Sequence, residues 1–167
     1  MLANAALGRY FQGMTLRYFN SPVGRLALEA EGEALTGLRW ADAGERGREV
    51  RDCPVLREAS RQLERYFRGK LRRFDLKLAA RGTPFQKRVW KLMRAIPFGE
   101  IGTYGGIAAA LGSGPRAVGL ACARNPIPII VPCHRVLSSD GKIGGYTGGE
   151  GLPTKRKLLA IEGVLVS

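Results

Sequence analysis

Apolar and polar residues alternate along the first part of the chain in the way that β-strands require. From Met14 onward the alternation predicts two strands around a turn at residues 20–24. A third alternating segment at residues 35–40 predicts another strand, and the charged residues 41–53 predict a loop. Residues 1–13 show no clear period and are expected to form a flexible arm.

The pattern changes to a helical repeat over residues 54–70, where an apolar residue recurs every three or four positions. Residues 74–78 alternate again and predict a short strand, and a break follows at residues 81–83. We therefore predict an α+β fold of two domains. Residues 1–81 form an α+β domain in this interpretation, and residues 82–167 form a mostly helical one.

Three helices are predicted in the second half, with short breaks between them. Thr83 is placed to cap the first, which ends before Pro97, and Thr103 is placed to cap the second. Residues 112–114 contain two glycines and end that helix, and Pro115 opens the third. Two helices joined by a short glycine turn are typical of a DNA-binding helix-turn-helix, although many helical hairpins with such a turn bind no DNA.

The third helix is unusual because four of its positions carry small residues. One explanation is tight packing against a neighbouring helix, and the other is insertion into a narrow DNA groove where long side chains would not fit. The sequence alone does not choose between them. The four positions are Ala117, Gly119, Ala121 and Ala123.

The net charge of +13, from 27 basic and 14 acidic residues, favours a polyanionic partner, most often nucleic acid. An arginine-rich composition without any such partner is the alternative. The excess is spread along the chain, because residues 1–82 carry 16 basic and 10 acidic residues and residues 83–167 carry 11 and 4. A binding surface must therefore be assembled by folding.

No apolar run approaches the roughly 18–20 residues of a membrane span, and no signal pattern is found at the N-terminus. We therefore expect a cytoplasmic protein without a membrane partner. The three cysteines are expected to be reduced, since any disulfide would leave one unpaired. No Cys/His spacing resembles a zinc site, so neither a metal nor a cofactor is expected.

Cys133 is the strongest candidate for chemistry. It follows the apolar residues 127–131, which predict a buried strand, and Pro132 stops strand pairing. Burial raises the pKa of a thiol, and the thiolate is the reactive form, so this cysteine needs a base. The only histidine is its neighbour, His134, and contact between the two requires a turn or a bridging water. The alternative is a small buried hydrophobe without reactivity.

Several motifs occur together in the second half: GTPFQKRVW at 82–90, IPFGE at 96–100, TY at 103–104, RAVG at 116–119, NP at 125–126 and PCHRV at 132–136. In this order they resemble the O6-alkylguanine-DNA alkyltransferases, also called methylated-DNA–protein-cysteine methyltransferases. The resemblance is strong over residues 82–167. It is looser over residues 14–80, where it rests on SPVG at 21–24 and on the helix that contains Tyr66 and Phe67.

This resemblance implies DNA repair by a suicide reaction, in which Cys133 takes the alkyl group of O6-alkylguanine and one protein performs one turnover. The damaged base would be flipped out of double-stranded DNA, because a buried thiol cannot reach a stacked base. His134 would remove the thiol proton through water, and Glu162 would orient the histidine. Asn125 would brace the turn that leads to the active-site strand.

The resemblance also implies which residues contact DNA. The helix-turn-helix would enter the minor groove, and Arg116 would fill the space that the flipped base vacates. Tyr104 would press the 3′ phosphate and donate a hydrogen bond to guanine N3. Thr103, Ala117 and Gly119 complete the expected DNA-binding surface. The protein is expected to be a monomer, with cooperative assembly on DNA left open.

The implied guanine pocket is formed by the segment that begins at Gly144. Tyr146 would pack on the guanine, and Thr147 would hydrogen-bond toward O6. The backbone carbonyls of Cys133 and Val136 would read the exocyclic amine, which distinguishes guanine from adenine.

The chain departs from the family pattern at residues 150–153, a stretch about two residues longer than usual. We expect this difference to bear on the position of Glu162. The turn at residues 112–114 is slightly short, and metal-binding residues of some animal members are absent.

Three other functions were weighed against alkyl transfer. A non-catalytic protein that binds alkylated bases and recruits other repair factors would carry another residue, commonly tryptophan, in place of Cys133. A transcriptional regulator with the same helix-turn-helix would carry extra domains, for which 167 residues leave no room. A cysteine hydrolase is disfavoured because the motif contains no evident oxyanion arrangement.

Overall fold

The computed structural model describes residues 14–47 and 53–166. The predicted arm at residues 1–13 and part of the predicted loop at residues 41–53 lie outside the described residues.

An antiparallel sheet of three strands opens the fold: β1 (Met14–Ser21), β2 (Gly24–Glu31) and β3 (Ala34–Trp40), in the order β1-β2-β3. Tight turns join them, and Gly32 supplies the positive φ of +59° that the second turn requires. Helix α1 (Pro54–Phe67) packs against the sheet. The three strands predicted for the sheet and the helix predicted after them are therefore confirmed.

The strand predicted at residues 74–78 is wrong. The backbone there makes a single parallel bridge, between Leu78 and Leu35, in which Leu35 donates to the Lys77 carbonyl at 2.8 Å. Alternating apolar and polar residues indicate only that one face of an extended segment is buried. Leu76 and Leu78 meet that condition by lying on the core, so no ladder of hydrogen bonds is needed.

The second half is mostly helical, which confirms the α+β class. Thr83 and Gln86 form a reciprocal capping box at the start of the first helix, and the Thr103 hydroxyl accepts from the Gly106 N–H at 2.9 Å at the start of the second. The elements are α2 (Pro84–Ala95), β4 (Gly102–Thr103), α3 (Tyr104–Leu111), α4 (Pro115–Ala123), a 3₁₀ turn (Cys133–Arg135), β5 (Val136–Leu137) and α5 (Leu152–Ile161).

The buried strand predicted at residues 127–131 is also wrong, although the segment is buried. It folds back on itself, with Val131 N–H donating to the Ile127 carbonyl at 2.9 Å and Ile129 held at a φ of +73°. Pro128 lacks the N–H that a strand needs at this point. A β-branched residue with positive φ is strained, and here the strain lies four residues before Cys133.

The two halves share one apolar core that extends from the sheet to helix α5. Backbone and side-chain hydrogen bonds cross between them, including Leu38 N–H to the Pro126 carbonyl at 2.9 Å and Lys157 to the Pro22 carbonyl at 2.5 Å. The domain boundary after residue 81 stays a prediction. Within the described residues, no helix has the length and apolar character that crossing a membrane demands.

Candidate active site

The 3₁₀ turn holds Cys133 in place, and Asn125 braces the approach to that turn. Its side-chain amide donates to the Val131 carbonyl at 2.8 Å, and its side-chain oxygen accepts from the Ile127 N–H at 3.0 Å. Cys133 N–H in turn donates to the Val131 carbonyl at 2.9 Å. The folded-back segment and the cysteine are therefore tied to one amide side chain.

His134 is completely buried and points toward the C-terminal end of helix α5. Its Nε2 lies 2.7 Å from Oε1 of Glu162, which is also buried. The contact with the carboxylate assigns the proton to Nε2 and leaves Nδ1 as an acceptor. Nδ1 is buried and has no hydrogen-bond partner among the described residues.

Glu162 is the centre of a larger network. Oε1 accepts hydrogen bonds from Tyr66 Oη at 2.7 Å and from Arg135 at 3.0 Å, and Oε2 accepts from Arg135 Nε at 2.8 Å and from the Gly99 N–H at 3.3 Å. Burial alone would raise the pKa of this carboxyl. The bonds from His134 and Arg135 outweigh it and lower that pKa to about 2, so Glu162 is ionised at neutral pH.

Burial also sets the direction in which the pKa values of His134 and Cys133 are shifted. Desolvation lowers the pKa of His134 despite the neighbouring Glu162, which keeps the imidazole neutral and able to accept a proton near pH 7. Burial raises the pKa of Cys133, while Asn125 and Lys155 act in the opposite direction. A thiol with a raised pKa beside a neutral imidazole requires the base to remove its proton as it reacts.

The longer stretch at residues 150–153 does not displace Glu162. The stretch ends in the first turn of helix α5, and the turn before the helix is closed by Gly151 N–H donating to the Gly148 carbonyl at 2.9 Å and Glu150 N–H donating to the Thr154 hydroxyl at 2.9 Å. The helix therefore enters in a register that brings its C-terminal residue to His134.

A cavity of about 280 Å³ opens onto Cys133. It lies between helices α3 and α4 on one side and the segment after β5 on the other. Its walls are Tyr104, Gly119, Cys122, Ala123, Cys133, Ser138, Gly144, Gly145, Tyr146 and Thr147.

Tyr104 reaches this cavity because β4 and β5 pair in parallel, with Gly102 opposite Val136 and Thr103 opposite Leu137. That pairing joins the start of helix α3 to the strand after the active-site turn. Burial is the main reason that the pKa of Tyr104 is raised to about 12, so its hydroxyl remains a donor.

The segment at residues 144–149 forms the opposite wall. Tyr146 is half-buried, and burial together with the adjacent Cys133 raises the pKa of its hydroxyl. Thr147 is exposed at the rim, and Gly144 lies against the Tyr104 ring at a φ of +64°. Trp40 of β3 meets the Tyr146 ring edge-on at a centroid distance of 6.3 Å.

Val136 does not line this cavity, because its side chain is completely buried. Its carbonyl accepts from Lys155 Nζ at 2.7 Å, and the Cys133 carbonyl accepts from the Val136 N–H. Each carbonyl that the resemblance assigns to base reading therefore already holds one internal hydrogen bond and keeps one lone pair.

Of the DNA-binding residues expected on helix α4, Gly119 lines the same cavity. Arg116 is exposed and forms no ion pair with any described residue, and Ala117 is half-buried. A Cβ at Gly119 would meet nothing within 4 Å, so helix packing does not require glycine there. Of the two explanations for the small residues, this position favours close approach of a partner. Ala121 favours the other, since it is buried and its carbonyl accepts from Trp90 at 2.9 Å.

Three residues of the site were missed in the sequence. Tyr66 and Arg135 bind Glu162, and Lys155 is completely buried, with its Nζ also 3.3 Å from the Gly145 carbonyl. Burial lowers the pKa of Lys155 to about 8. A tyrosine on the buried stripe of an amphipathic helix signals a polar partner inside the protein. The sequence carries no comparable signal for the lysine.

Among residues 14–47 and 53–166, no three His, Cys, Asp or Glu side chains lie together as a metal site would need. A pair of helices joined by a glycine turn, set beside a cavity that opens onto a buried cysteine, is the arrangement expected of a protein that brings nucleic acid to a thiol.

Comparison with known proteins identifies the family. Residues 84–164 match the 6-O-methylguanine DNA methyltransferase DNA binding domain, and residues 14–80 match the ribonuclease-like domain of the same proteins. The chain therefore belongs to the 6-O-methylguanine DNA methyltransferase family.

Individual relatives agree with this assignment. The methylated-DNA–protein-cysteine methyltransferase of Methanosarcina acetivorans is 49% identical over 152 residues, which cover 87% of this chain and 96% of the relative. The Mycobacterium tuberculosis protein of that name is 46% identical over 151 residues, with coverages of 87% and 90%. A crystal structure of a Mycobacterium tuberculosis homologue in complex with DNA gives a TM-score of 0.79 at 47% identity, covering 89% of this chain and 92% of the other.

Proposed function

We propose that this protein repairs DNA directly, by moving the alkyl group of O6-alkylguanine onto Cys133. The observation that carries the proposal is the buried cysteine, which faces a cavity of about 280 Å³ and is followed by a histidine 2.7 Å from an ionised carboxylate. Family membership supports the reaction class, and the relative solved with DNA supports DNA as the partner.

The proposed reaction is an in-line displacement at the alkyl carbon. Nδ1 of His134 accepts the thiol proton through a bridging water, and the sulfur forms an S–C bond as the bond between the carbon and guanine O6 breaks. Glu162 holds the imidazole in the required tautomer and stabilises its charged form. The electron pair of the broken bond stays on guanine.

Tyr104 completes the proton balance. Its hydroxyl, with a pKa of about 12, gives its proton toward guanine N3, so the guanine leaves as a neutral base. The proton that His134 took from the thiol then returns through solvent to the tyrosinate, and both side chains end as they began. The thioether on Cys133 has no good leaving group, so the protein is consumed in one turnover.

The DNA contacts are proposed on the same basis. Helix α4 enters the minor groove, where the open space beside Gly119 admits the backbone, and Arg116 fills the stack in place of the flipped base. Tyr146 packs on the guanine and Thr147 bonds toward O6, while Thr103 and Ala117 line the approach. We place the protein in the cytoplasm, as a monomer.

A mass measurement tests the transfer. Intact protein incubated with duplex DNA that carries O6-methylguanine should gain the mass of one methyl group, on the peptide that contains Cys133. The variant Cys133→Ala should gain none and still bind the duplex. An unmodified cysteine together with tight binding would instead support a protein that recognises alkylated bases and recruits other factors.

A second measurement tests the role of Arg116. Replacing it by alanine should slow transfer from duplex DNA far more than transfer from the free base analogue O6-benzylguanine, because only the duplex requires flipping. Equal losses on the two substrates would contradict the assignment.

A further inference from the structure

A second concave surface lies apart from the cavity at Cys133. It is a groove of about 1,030 Å³ between helix α2 and the extended segments at residues 72–80 and 96–100, closed at the back by residues 130–132. It shares no lining residue with the cavity. We call it the basic groove, and its charged rim consists of Arg72, Arg73, Lys87, Lys91 and Arg94.

The five rim cations are all exposed, and none forms an ion pair with another residue in the described part of the chain. Glu100 is the single acidic residue of the lining, and the charge of the sixth basic residue, Arg135, is matched by Glu162. Five unpaired positive charges around one groove repel each other unless an anion is bound there. The groove therefore has the electrostatic character of a polyanion site.

Helix α2 arranges part of this charge in a line. Lys87, Lys91 and Arg94 are spaced four and three residues apart, which places them on one face of the helix. At about 1.5 Å per residue the stripe is roughly 10 Å long, which equals the rise of about three base pairs along the DNA axis. On the facing wall, the Arg72 guanidinium lies 5.7 Å from the centre of the Phe98 ring, a position that fixes its direction.

The helix-turn-helix has little charge of its own to bind phosphates. Helix α3 carries no charged residue, and helix α4 and its C-cap contribute only Arg116 and Arg124. Proteins gain most of their sequence-independent DNA affinity from lysine and arginine contacts to phosphates. In this chain the larger reserve of such residues lies in the basic groove.

We propose that the basic groove is a second DNA-binding surface, which holds backbone phosphates while helix α4 engages the damaged base. The inference rests on DNA binding by this family and not on alkyl transfer. The phosphates come either from the flank of the duplex that helix α4 binds or from a second segment of DNA.

The test compares two triple variants of equal charge. Lys87→Gln/Lys91→Gln/Arg94→Gln removes the helical stripe, and Arg46→Gln/Arg61→Gln/Arg65→Gln removes three exposed charges from the other half of the chain. Affinity for unmodified duplex DNA of about three helical turns is measured over a range of salt concentrations. Log affinity falls linearly as log salt concentration rises. For the groove variant the magnitude of this slope should be smaller by about 2 to 3, and the control should keep the wild-type slope. Equal slopes for the two variants would overturn the proposal.

Further measurements identify which DNA supplies the phosphates, and control variants check the role of charge. If the groove variant loses affinity for the long duplex but not for a duplex of about one turn, roughly 10 bp, the phosphates come from the flank of the same DNA. Loss of the ability to hold two short duplexes at once indicates a second segment. The variant Lys87→Arg/Lys91→Arg/Arg94→Lys keeps the charge and should restore the slope. Transfer from free O6-benzylguanine should be equal in all variants. Absence of methyl transfer from duplex DNA with O6-methylguanine in every protein, wild type included, would refute the proposed reaction and leave the groove result standing.

Discussion

The two halves of this molecule place their charged residues in opposite ways. In the first half, exposed arginines and glutamates pair across the sheet and along helix α1, as in Arg39 with Glu29 and Glu45 or Arg61 with Glu58. In the second half the main ion pairs are buried, where His134 and Arg135 converge on Glu162. The cations on the surface of that half are mostly left without an acidic partner.

This difference teaches what each half is built to do. Exposed pairs in water contribute little to stability, so the first half uses them to neutralise its surface. The second half concentrates its one strong network at the reactive cysteine and leaves its outer cations for a polyanion. The halves meet at two points of the site, because Tyr66 bonds to Glu162 and Trp40 packs against the segment at residues 144–149.

The largest expected effect comes from breaking the buried network. Glu162→Gln leaves the buried Arg135 guanidinium without its counter-charge, which should cost about 3–5 kcal/mol of stability. It should also slow single-turnover methyl transfer by about 100-fold or more, because the imidazole loses the group that orients it. Urea unfolding and a quenched transfer assay measure the two effects.

The matched control is Glu45→Gln on the surface of the first half. Glu45 also accepts two bonds from an arginine and one from a tyrosine, Arg39 and Tyr18. Its loss should lower the urea midpoint far less and leave transfer unchanged. Equal effects of the two substitutions would remove the contrast between the halves.

The pH dependence of stability provides a second test of the buried network. The pKa of Glu162 is lowered from 4.5 to about 2 in the folded protein, so its contribution to stability is complete above pH 4.5 and is lost as the pH falls through about 2. Glu45 and Glu58, with pKa values of about 2, titrate in the same window. Glu162 also raises the pKa of His134 against the effect of burial, so the stability difference between wild type and Glu162→Gln should be constant only above about pH 6.5, the ordinary pKa of histidine. The part that belongs to the carboxylate itself should shrink toward pH 2. A difference that does not change with pH would contradict the assigned pKa.

Lys155 should have the next largest effect. Its positive charge favours the thiolate of Cys133, and its Nζ joins the Val136 and Gly145 carbonyls. Lys155→Met should slow transfer by about 10-fold to 100-fold at neutral pH. In the wild type, this electrostatic help should fade above the lysine pKa of about 8, and the variant should lack that step in its pH–rate profile. The neighbouring exposed residue supplies the control, and Arg156→Met should behave like the wild type.

Local patterns in the sequence predicted most of the fold. Strand alternation, the helical repeat of residues 54–70 and the capping threonines Thr83 and Thr103 each act over a few residues, and the structure has the elements they predict. The two errors, at residues 74–78 and 127–131, have one physical cause. Burial of an apolar segment looks the same in sequence whether the segment pairs with a strand, lies on the core with a single bridge as at residues 74–78, or folds back on itself as at residues 127–131.

The candidate site could be predicted only in part. The motif around Cys133 indicated His134, and the family resemblance implied Glu162; the structure brings those two side chains into contact. The network beyond them depends on tertiary packing, since Tyr66 lies 96 positions from Glu162 in the chain. The basic groove is likewise assembled from distant segments, so no run of charge in the sequence indicates it.

Replacing Trp40 tests whether the first half of the chain holds the segment at residues 144–149 in place. Cβ atoms placed on Gly148 and Gly149 would clash with its ring, and its Nε1 donates to the Val23 carbonyl at 2.8 Å. Trp40→Ala should free this segment and weaken binding of a free guanine analogue by about 10-fold, in addition to destabilising the fold. Phe19, which stacks on Phe67, provides the control. Phe19→Ala should destabilise the protein without this loss of affinity, and a similar loss would show that the effect of Trp40 is only global.

The smallest effect is expected from removing the hydroxyl of a tyrosine that bonds to a glutamate. One such pair is buried and the other is at the surface. Tyr66 donates to the buried Glu162 at 2.7 Å, and Tyr18 donates to the more exposed Glu45 at 2.9 Å. Tyr66→Phe should cost about 1.5–3 kcal/mol, because the bond to a carboxylate is made out of water. Transfer should slow only a few-fold, since His134 and Arg135 still hold Glu162. Tyr18→Phe removes a bond that solvent can replace, so transfer should be unchanged and the loss of stability smaller. If the surface substitution proved the costlier of the two, the buried network would be a weaker constraint than its geometry indicates.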